Sequence, residues 1–283
     1  MRVALYGCGH MGRHHARHLR ARPDVELVVV DPAQGLDADP GEPDAIVVAT
    51  PTASHAAVAL PWLERGRWCL VEKPLAESLE EARTLAAHPR LRVGHVERFN
   101  PALAALRGQD LRFFVAERLS PWTGRGADVD VVSDLMVHDL DLWLGLLAEA
   151  GDHVVEVRAN GLAVASGQLD LVQARLESAQ GRVATLTASR VSRGPSRRMR
   201  AFAPGRYWSL DLVTRQAAAA TWGPEGLVEA PLPLPGHDAL GAQLAAFLAE
   251  VQGSAPPPGP HVATGPEALA AVELAERVRA AVV

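Results

Sequence analysis

Three side chains of this 283-residue sequence combine a type and a position suited to proton transfer: Lys73, Asp134 and His138. Of the 28 lysines and arginines, only Lys73 is a lysine. The two cations are interchangeable on a solvated surface. A guanidinium, however, keeps its proton at any usable pH and cannot replace a titratable amine. Lys73 lies in Glu72-Lys73-Pro74, just after the apolar run Arg67–Glu72. A strand there delivers it to the carboxyl edge of its sheet, where open parallel sheets form their ligand crevice. Pro74 keeps Lys73 extended and raises the chance of a cis bond. Asp134, His138 and Asp141 are spaced four and three apart, which predicts one shared face of a helix over Val131–Leu147. A histidine takes up a proton near neutral pH, and a carboxylate one turn away orients its ring and stabilises its cation. The same spacing also suits a surface histidine with intrahelical partners, or a metal ligand set.

A second group of residues suits a dinucleotide. Gly7-Cys8-Gly9-His10-Met11-Gly12 is G-x-G-x-x-G after a strand and at the start of a helix. The first glycine allows a tight turn, the second lets a pyrophosphate approach the backbone, and the third lets helix and strand pack closely. The helix N-terminus adds free N–H groups and a positive dipole end. Asp31 ends the next strand, nineteen residues past Gly12. An acid there accepts bonds from the ribose hydroxyls and repels a 2′-phosphate. Residues 32–43 contain no Arg or Lys to receive that phosphate, so NAD is expected in preference to NADP. His10, His14, His15 and His18 have helical spacing that could bind a metal; on a phosphate-binding helix they are expected to form a polar face, with no metal.

The elements that must position these residues fall into two patterns. Apolar runs at Arg2–Tyr6, Val25–Val30, Asp44–Thr50, Arg67–Glu72 and Leu91–His95 alternate with helix-length segments at Met11–Arg22, Ala53–Arg65 and Ser78–His88. That is a parallel sheet covered on both faces, with Ser78 and Glu81 forming a capping-box signature. The stretch 31–43 is too short and too rich in Pro, Gly and Asp for a full crossover helix. After a helix near Pro101–Arg107, alternating patterns recur at Asp110–Leu119, Val154–Val164, Gln168–Ser178, Arg182–Val191 and Arg197–Ala203. They predict a mainly antiparallel sheet with one packed face, interrupted by the helix that carries His138. Helices near Asp238–Gln252 and Glu267–Val282 follow, separated by the stiff connector Pro256-Pro257-Pro258-Gly259-Pro260. The expected fold class is α/β: an N-terminal Rossmann parallel sheet over residues 1–100, then a C-terminal α+β domain on an open, mostly antiparallel sheet over 101–263. Residues 264–283 are expected to be a helix packing back on the first domain.

These residues resemble the glucose–fructose oxidoreductase/inositol dehydrogenase (Gfo/Idh/MocA) superfamily. The likeness spans nearly the whole chain and rests on Gly7–Gly12, Ala49-Thr50-Pro51 followed by His55, Glu72-Lys73-Pro74, and Asp134-x-x-x-His138-x-x-Asp141. It implies that Lys73, Asp134 and His138 are the catalytic set and that the second domain mediates homo-oligomerisation, as a dimer or tetramer. The chain is short for the family, and it has Leu135-Met136-Val137 where many members place a glycine before the histidine. That wording, with Arg98-Phe99-Asn100-Pro101 and Ser133-Asp134-Leu135-Met136, is similar to the branch containing UDP-N-acetylglucosamine 3-dehydrogenases. The candidate cofactor-binding residues are Gly7, Gly9, His10, Met11, Gly12, Asp31, Thr50, Pro51, His55 and Glu72; Arg98, Asn100 and Asp141 are candidate substrate-binding residues.

The expected function is therefore an NAD-dependent dehydrogenase acting on a secondary alcohol of a sugar, polyol or nucleotide-sugar. His138 would take the hydroxyl proton, Lys73 would hydrogen-bond the reacting oxygen, and Asp134 would orient either of them. A non-catalytic NAD or sugar sensor and an NAD-dependent glycosidase are the alternatives. A net charge of −5 argues against a nucleic-acid or anionic-membrane partner. Two cysteines are too few for a disulfide framework, and the apolar run at the N-terminus is too short for a secretion signal, so a cytoplasmic protein is expected. Between Arg190 and Leu210, Arg190, Arg193, Arg197, Arg198, Arg200 and Arg206 stand with no acidic residue. They suggest a diphosphate clamp, an edge strand or a subunit contact.

Overall fold

The structure is a computed structural model that describes residues 1–124, 129–257 and 259–283. In chain order the elements are β1 (Arg2–Tyr6), α1 (His10–Arg20), β2 (Glu26–Asp31), β3 (Leu36–Asp37), β4 (Ala45–Val48), α2 (His55–Glu64), β5 (Trp68–Val71), α3 (Leu79–Ala86) and β6 (Leu91–Val93). Then come β7 (Phe113–Leu119), α4 (Val137–Glu149), β8 (Val154–Leu162), β9 (Leu171–Ser178), β10 (Val183–Ser189) and β11 (Ser196–Ala203). Finally come β12 (Arg206–Asp211), β13 (Gln216–Gly223), β14 (Gly226–Pro231), α5 (Ala239–Val251), β15 (Ala263–Thr264) and α6 (Gly265–Ala280). They form two compact units: Met1–Phe99 with His237–Val272, and Asn100–Gly236 with Glu273–Val283.

The first unit is built on a sheet of order β15-β6-β5-β4-β1-β2-β3, parallel except for the short strands β3 and β15. Its central strand β4 is buried at all four positions, as its unbroken Ala-Ile-Val-Val requires. Strand order reverses between β1 and β4, the topological switch point where such sheets bind ligands. The trimmed crossover after β2 is a 3-10 turn at Pro32–Gln34 leading into β3, with no helix. Ser78 caps α3 by accepting the Glu81 N–H at 3.2 Å.

The second unit carries an eight-stranded sheet of order β14-β13-β12-β11-β7-β10-β9-β8, antiparallel except for the β7/β10 pair. One face packs against α4, with Phe114 stacked on Trp143 at 5.6 Å. Three of its strands, β12 to β14, lie beyond the alternating segments expected from the sequence. Ala217–Ala220 is a run of small residues, and its pairing with β12 places it in the sheet. The expected helix after Pro101 is a 3-10 segment, Pro101–Leu106.

The division of the chain differs from the expected one in its second half. Residues 237–263 belong to the first unit, because α5 buries Leu240, Leu244, Phe247 and Leu248 against Val3, Leu5 and Leu19. The C-terminal helix is shared rather than packed wholly on the first unit. Its Ala268 joins the first core, whereas Leu274, Ala275 and Val278 join the second. Pro258 of the expected connector lies outside the described residues. Among the described residues, no helix is long and apolar enough to cross a membrane.

Candidate active site

In the first unit the glycine loop has the geometry its spacing predicts. Gly7 has φ +86°, and a Cβ there would lie 2.6 Å from the Ala49 carbonyl oxygen. A Cβ on Gly12 would lie 2.0 Å from the Gly7 carbonyl oxygen, so α1 can pack this closely only without one. At Gly9 the reverse holds: nothing lies within 4 Å of a built Cβ, and the backbone stands bare. Gly9 is the N-cap of α1, and no side chain caps its first turn. The N–H groups of that turn are therefore offered to an anion. Asp31 is fastened beside the loop, its Oδ2 accepting the Cys8 N–H at 2.6 Å and the Gln34 amide at 2.9 Å.

Lys73 follows β5 and is half-buried, joined to Pro74 by a cis peptide bond. The Glu72 and His55 side chains, candidates for cofactor binding, are both buried. His55 sets its two ring nitrogens 3.0 Å from the Pro74 and Thr50 carbonyl oxygens, tying the end of β4 to the turn after Lys73. Glu72 turns its carboxylate to His15, whose Nε2 is 2.6 Å away. His15 is the residue that sequence reasoning misplaced. It lies in the interior with Gly12, Ala16 and Leu19, not on a polar face. The signal was present: 12, 15, 16 and 19 form the apolar stripe of an amphipathic helix.

The other histidines of α1 remain outward. His10 and His14 meet edge to face with centroids 5.0 Å apart, and His18 Nε2 lies 2.6 Å from Asp238. Among the described residues, no group of three or more His, Cys, Asp or Glu could hold a metal ion. Cys69 is buried, and burial pushes its thiol up to about 12. Arg98 and Asn100, the candidate substrate-binding residues, each have partners within the protein. Arg98 reaches Glu267 at 3.3 Å and His261 at 3.4 Å, while Asn100 accepts the Ala102 N–H at the start of the 3-10 segment.

In the second unit the expected regular helix over Val131–Leu147 begins with a π-turn, Val132–Met136, and becomes α-helical at Val137. Asp134 sits inside the π-turn and His138 in the first turn of α4, both half-buried. Such wide turns recur at functional sites because they re-aim side chains without ending the helix. Asp130 anchors the turn by accepting the Val132 and Ser133 N–H groups at 2.8 and 3.0 Å. Asp139, next to His138, forms a buried two-pronged pair with Arg118 of β7 at 3.1 and 2.8 Å. Asp141, a candidate substrate-binding residue, is only 1% exposed and lies in the interior.

The arginine run does not act as one cluster. Arg190 is buried, donating to Asp170 at 2.8 Å, the Val129 carbonyl at 2.6 Å and Ser166 at 2.9 Å. Arg197 and Arg198 are consecutive in β11, and alternation sends them to opposite faces of the sheet.

Comparison with known proteins agrees with this architecture. The family model describing an oxidoreductase family with an NAD-binding Rossmann fold matches residues 28–90. A UDP-N-acetylglucosamine 3-dehydrogenase of Acidithiobacillus ferrooxidans is 36% identical over 277 residues, covering 88% of each chain. The scyllo-inositol 2-dehydrogenase (NAD(+)) of Bacillus subtilis is 27% identical over 240 residues, covering 68% of each. Among solved structures, a UDP-N-acetylglucosamine 3-dehydrogenase from Acidithiobacillus ferrooxidans superimposes with a TM-score of 0.87 at 34% identity, covering 100% of this chain and 97% of that one. The chain is thus an oxidoreductase, and it belongs to the Gfo/Idh/MocA family with an NAD-binding Rossmann fold.

Proposed function

We propose that the protein is an NAD-dependent dehydrogenase that oxidises a secondary alcohol of a nucleotide-linked sugar, with UDP-N-acetylglucosamine as the first substrate to test. The observation that carries the cofactor half is the bare, uncapped start of α1 beside an acid held by the loop's own backbone. These residues fit a dinucleotide. Gly7, Gly9, His10, Met11 and Gly12 would hold the pyrophosphate through backbone groups, and Asp31 the adenosine ribose, its charge opposing a 2′-phosphate. Thr50 and Pro51, at the end of β4, would line the same crevice. Glu72 and His55 would act behind it, through the segments they tie together. The substrate half is supported by the 36% identical relative, whose name specifies UDP-N-acetylglucosamine.

NAD supplies a hydride acceptor when bound. For the chain's own residues, His138 takes the hydroxyl proton as the carbonyl forms, and Asp134 orients that imidazole. Lys73 donates a hydrogen bond to the reacting oxygen and stabilises the negative charge that grows there. An amine suits this task because its proton affinity responds to its surroundings, as that of a guanidinium does not. The apolar side chains exposed on β13 and β14, Trp222, Leu227 and Val228, support a homo-oligomer. The two free cysteines suit a cytoplasmic setting.

The test is the appearance of NADH absorbance when the protein and NAD are mixed with UDP-N-acetylglucosamine, other UDP-sugars, free sugars and inositols. Turnover with a UDP-sugar supports the reading. Turnover with inositols alone reassigns the substrate class, and reduction by none of them removes the catalytic reading.

A further inference from the structure

The buried pair of His15 and Glu72 joins the two halves of the cofactor site within the first unit. The side chains of His15 and Glu72 are 0% and 8% exposed, with Nε2 2.6 Å from Oε1. Glu72's second oxygen accepts the backbone N–H of Lys73 at 3.3 Å. A third segment closes around the same carboxylate: a Cβ at Gly94 would fall 2.9 Å from both of its oxygens. His15 Nδ1 is buried and has no hydrogen-bond partner. A carboxylate oxygen accepts, so the imidazole donates from Nε2 to Glu72.

Stability alone does not call for such a pair, because well-packed apolar residues commonly serve a core as well or better. A hydrogen-bonded pair supplies something apolar residues lack, a fixed direction for each oxygen. Here one oxygen is set by α1, the helix that opens on the phosphate loop, and the other holds the peptide N–H of Lys73. We propose that His15 is a positioning residue for Lys73: acting through Glu72, it registers the lysine against the helix that binds the cofactor phosphates. The inference rests on the role given to Lys73 above.

Because Lys73 is the sole lysine, the full-length chain permits a direct test. Reductive methylation with carbon-13 formaldehyde labels Lys73 and the N-terminal amine alone, and NMR then reads the lysine's surroundings without a substrate. The variants are His15→Leu, which fills the space without a donor, and His15→Gln, whose Nε2–H can take the place of the imidazole N–H. In His15→Leu the Lys73 signal should move and its titration midpoint shift by about half a pH unit or more. On the substrate found in the panel, kcat should fall by about tenfold or more, while the Kd for NADH stays within about threefold. His15→Gln should restore both signal and kcat. Should His15→Leu fail to fold, His15→Asn replaces it, since its shorter amide cannot reach Glu72; Gln native-like and Asn displaced is then the supporting result.

A Lys73 signal in His15→Leu that superimposes on the parent overturns the proposal. So does a change confined to melting temperature or NADH affinity, which is what a packing role alone would give, and so do Gln and Asn variants that behave alike. The underlying reading fails separately: a Lys73→Arg enzyme with normal turnover removes the catalytic role of the lysine, whatever the His15 variants do to its signal.

Discussion

Arg279 Nη1 donates to the Asp130 carboxylate at 2.8 Å and to the Ser133 hydroxyl at 2.6 Å, so the last turn of α6 grips the start of the π-turn that carries Asp134. Asp130 also caps that turn through two backbone N–H groups. One carboxylate thus accepts four hydrogen bonds, from Arg279, the Val132 and Ser133 N–H groups and the Ser133 hydroxyl. Burial pushes the Asp130 carboxyl up, but the hydrogen bonds from Arg279 and Ser133 outweigh burial and leave it below the usual carboxylate range.

The pH dependence of this grip follows from its sign. A carboxyl held low when folded stabilises the protein above its unfolded value, roughly 3.9, and that stability is lost as pH falls from there through the folded value. Arg279→Met should cost about 1–3 kcal/mol at neutral pH by leaving Asp130 under-satisfied. It should also flatten the loss of stability below about pH 4. Urea unfolding of parent and variant across pH 3 to 7, roughly the window set by the ordinary carboxylate value, measures both. Parallel curves would refute the assignment.

The Arg118–Asp139 pair is almost fully buried, so its two halves should behave very differently alone and together. Arg118→Met removes the cation that meets this buried carboxylate and should cost about 3–5 kcal/mol. The double variant Arg118→Met/Asp139→Leu should regain most of that. A double-mutant cycle by chemical denaturation gives the coupling, and additive losses would show that the pair is not coupled.

Asp31 should set the choice between the two nicotinamide dinucleotides. Asp31→Ser removes the charge that repels a 2′-phosphate and should raise NADP efficiency relative to NAD by about tenfold, the worth of one charged contact near 1.4 kcal/mol. The ratio of kcat/KM values for the two cofactors is the measurement. Melting temperature must be followed as well, since Asp31 also holds Cys8 and Gln34.

Lys73→Arg keeps the positive charge and should keep NADH binding within about threefold, yet lower kcat by about 100-fold or more, because the guanidinium lacks both the geometry and the tunable proton of the amine. NADH fluorescence titration and steady-state turnover separate the two effects. Comparable loss in both would make Lys73 a cofactor anchor instead.

Much of this protein is legible in its residues taken in order. Gly7, Gly9 and Gly12 announce their loop because each answers a local steric demand, and the Ala-Ile-Val-Val of β4 announces a strand buried on both faces. Lys73 is visible because one lysine stands among 28 cations. Local pattern is enough in these cases, since the relevant forces act between near neighbours.

What the tertiary structure alone decided are the partners of buried charges and the ownership of segments. His15, Glu72, Arg98, Asp141 and Arg190 all read as exposed polar residues or ligand contacts, and all prove to be buried. A charge can enter a core only where a partner arrives to meet it, and that partner is 57 residues distant for His15 and 169 for Arg98. Likewise α5 returns to the first unit because its apolar face fits Leu5 and Leu19 across more than 200 residues of chain, a complementarity of shape that no local pattern encodes. The sequence by itself determined which residues have the chemistry; packing determined which of them are held in place, and by what.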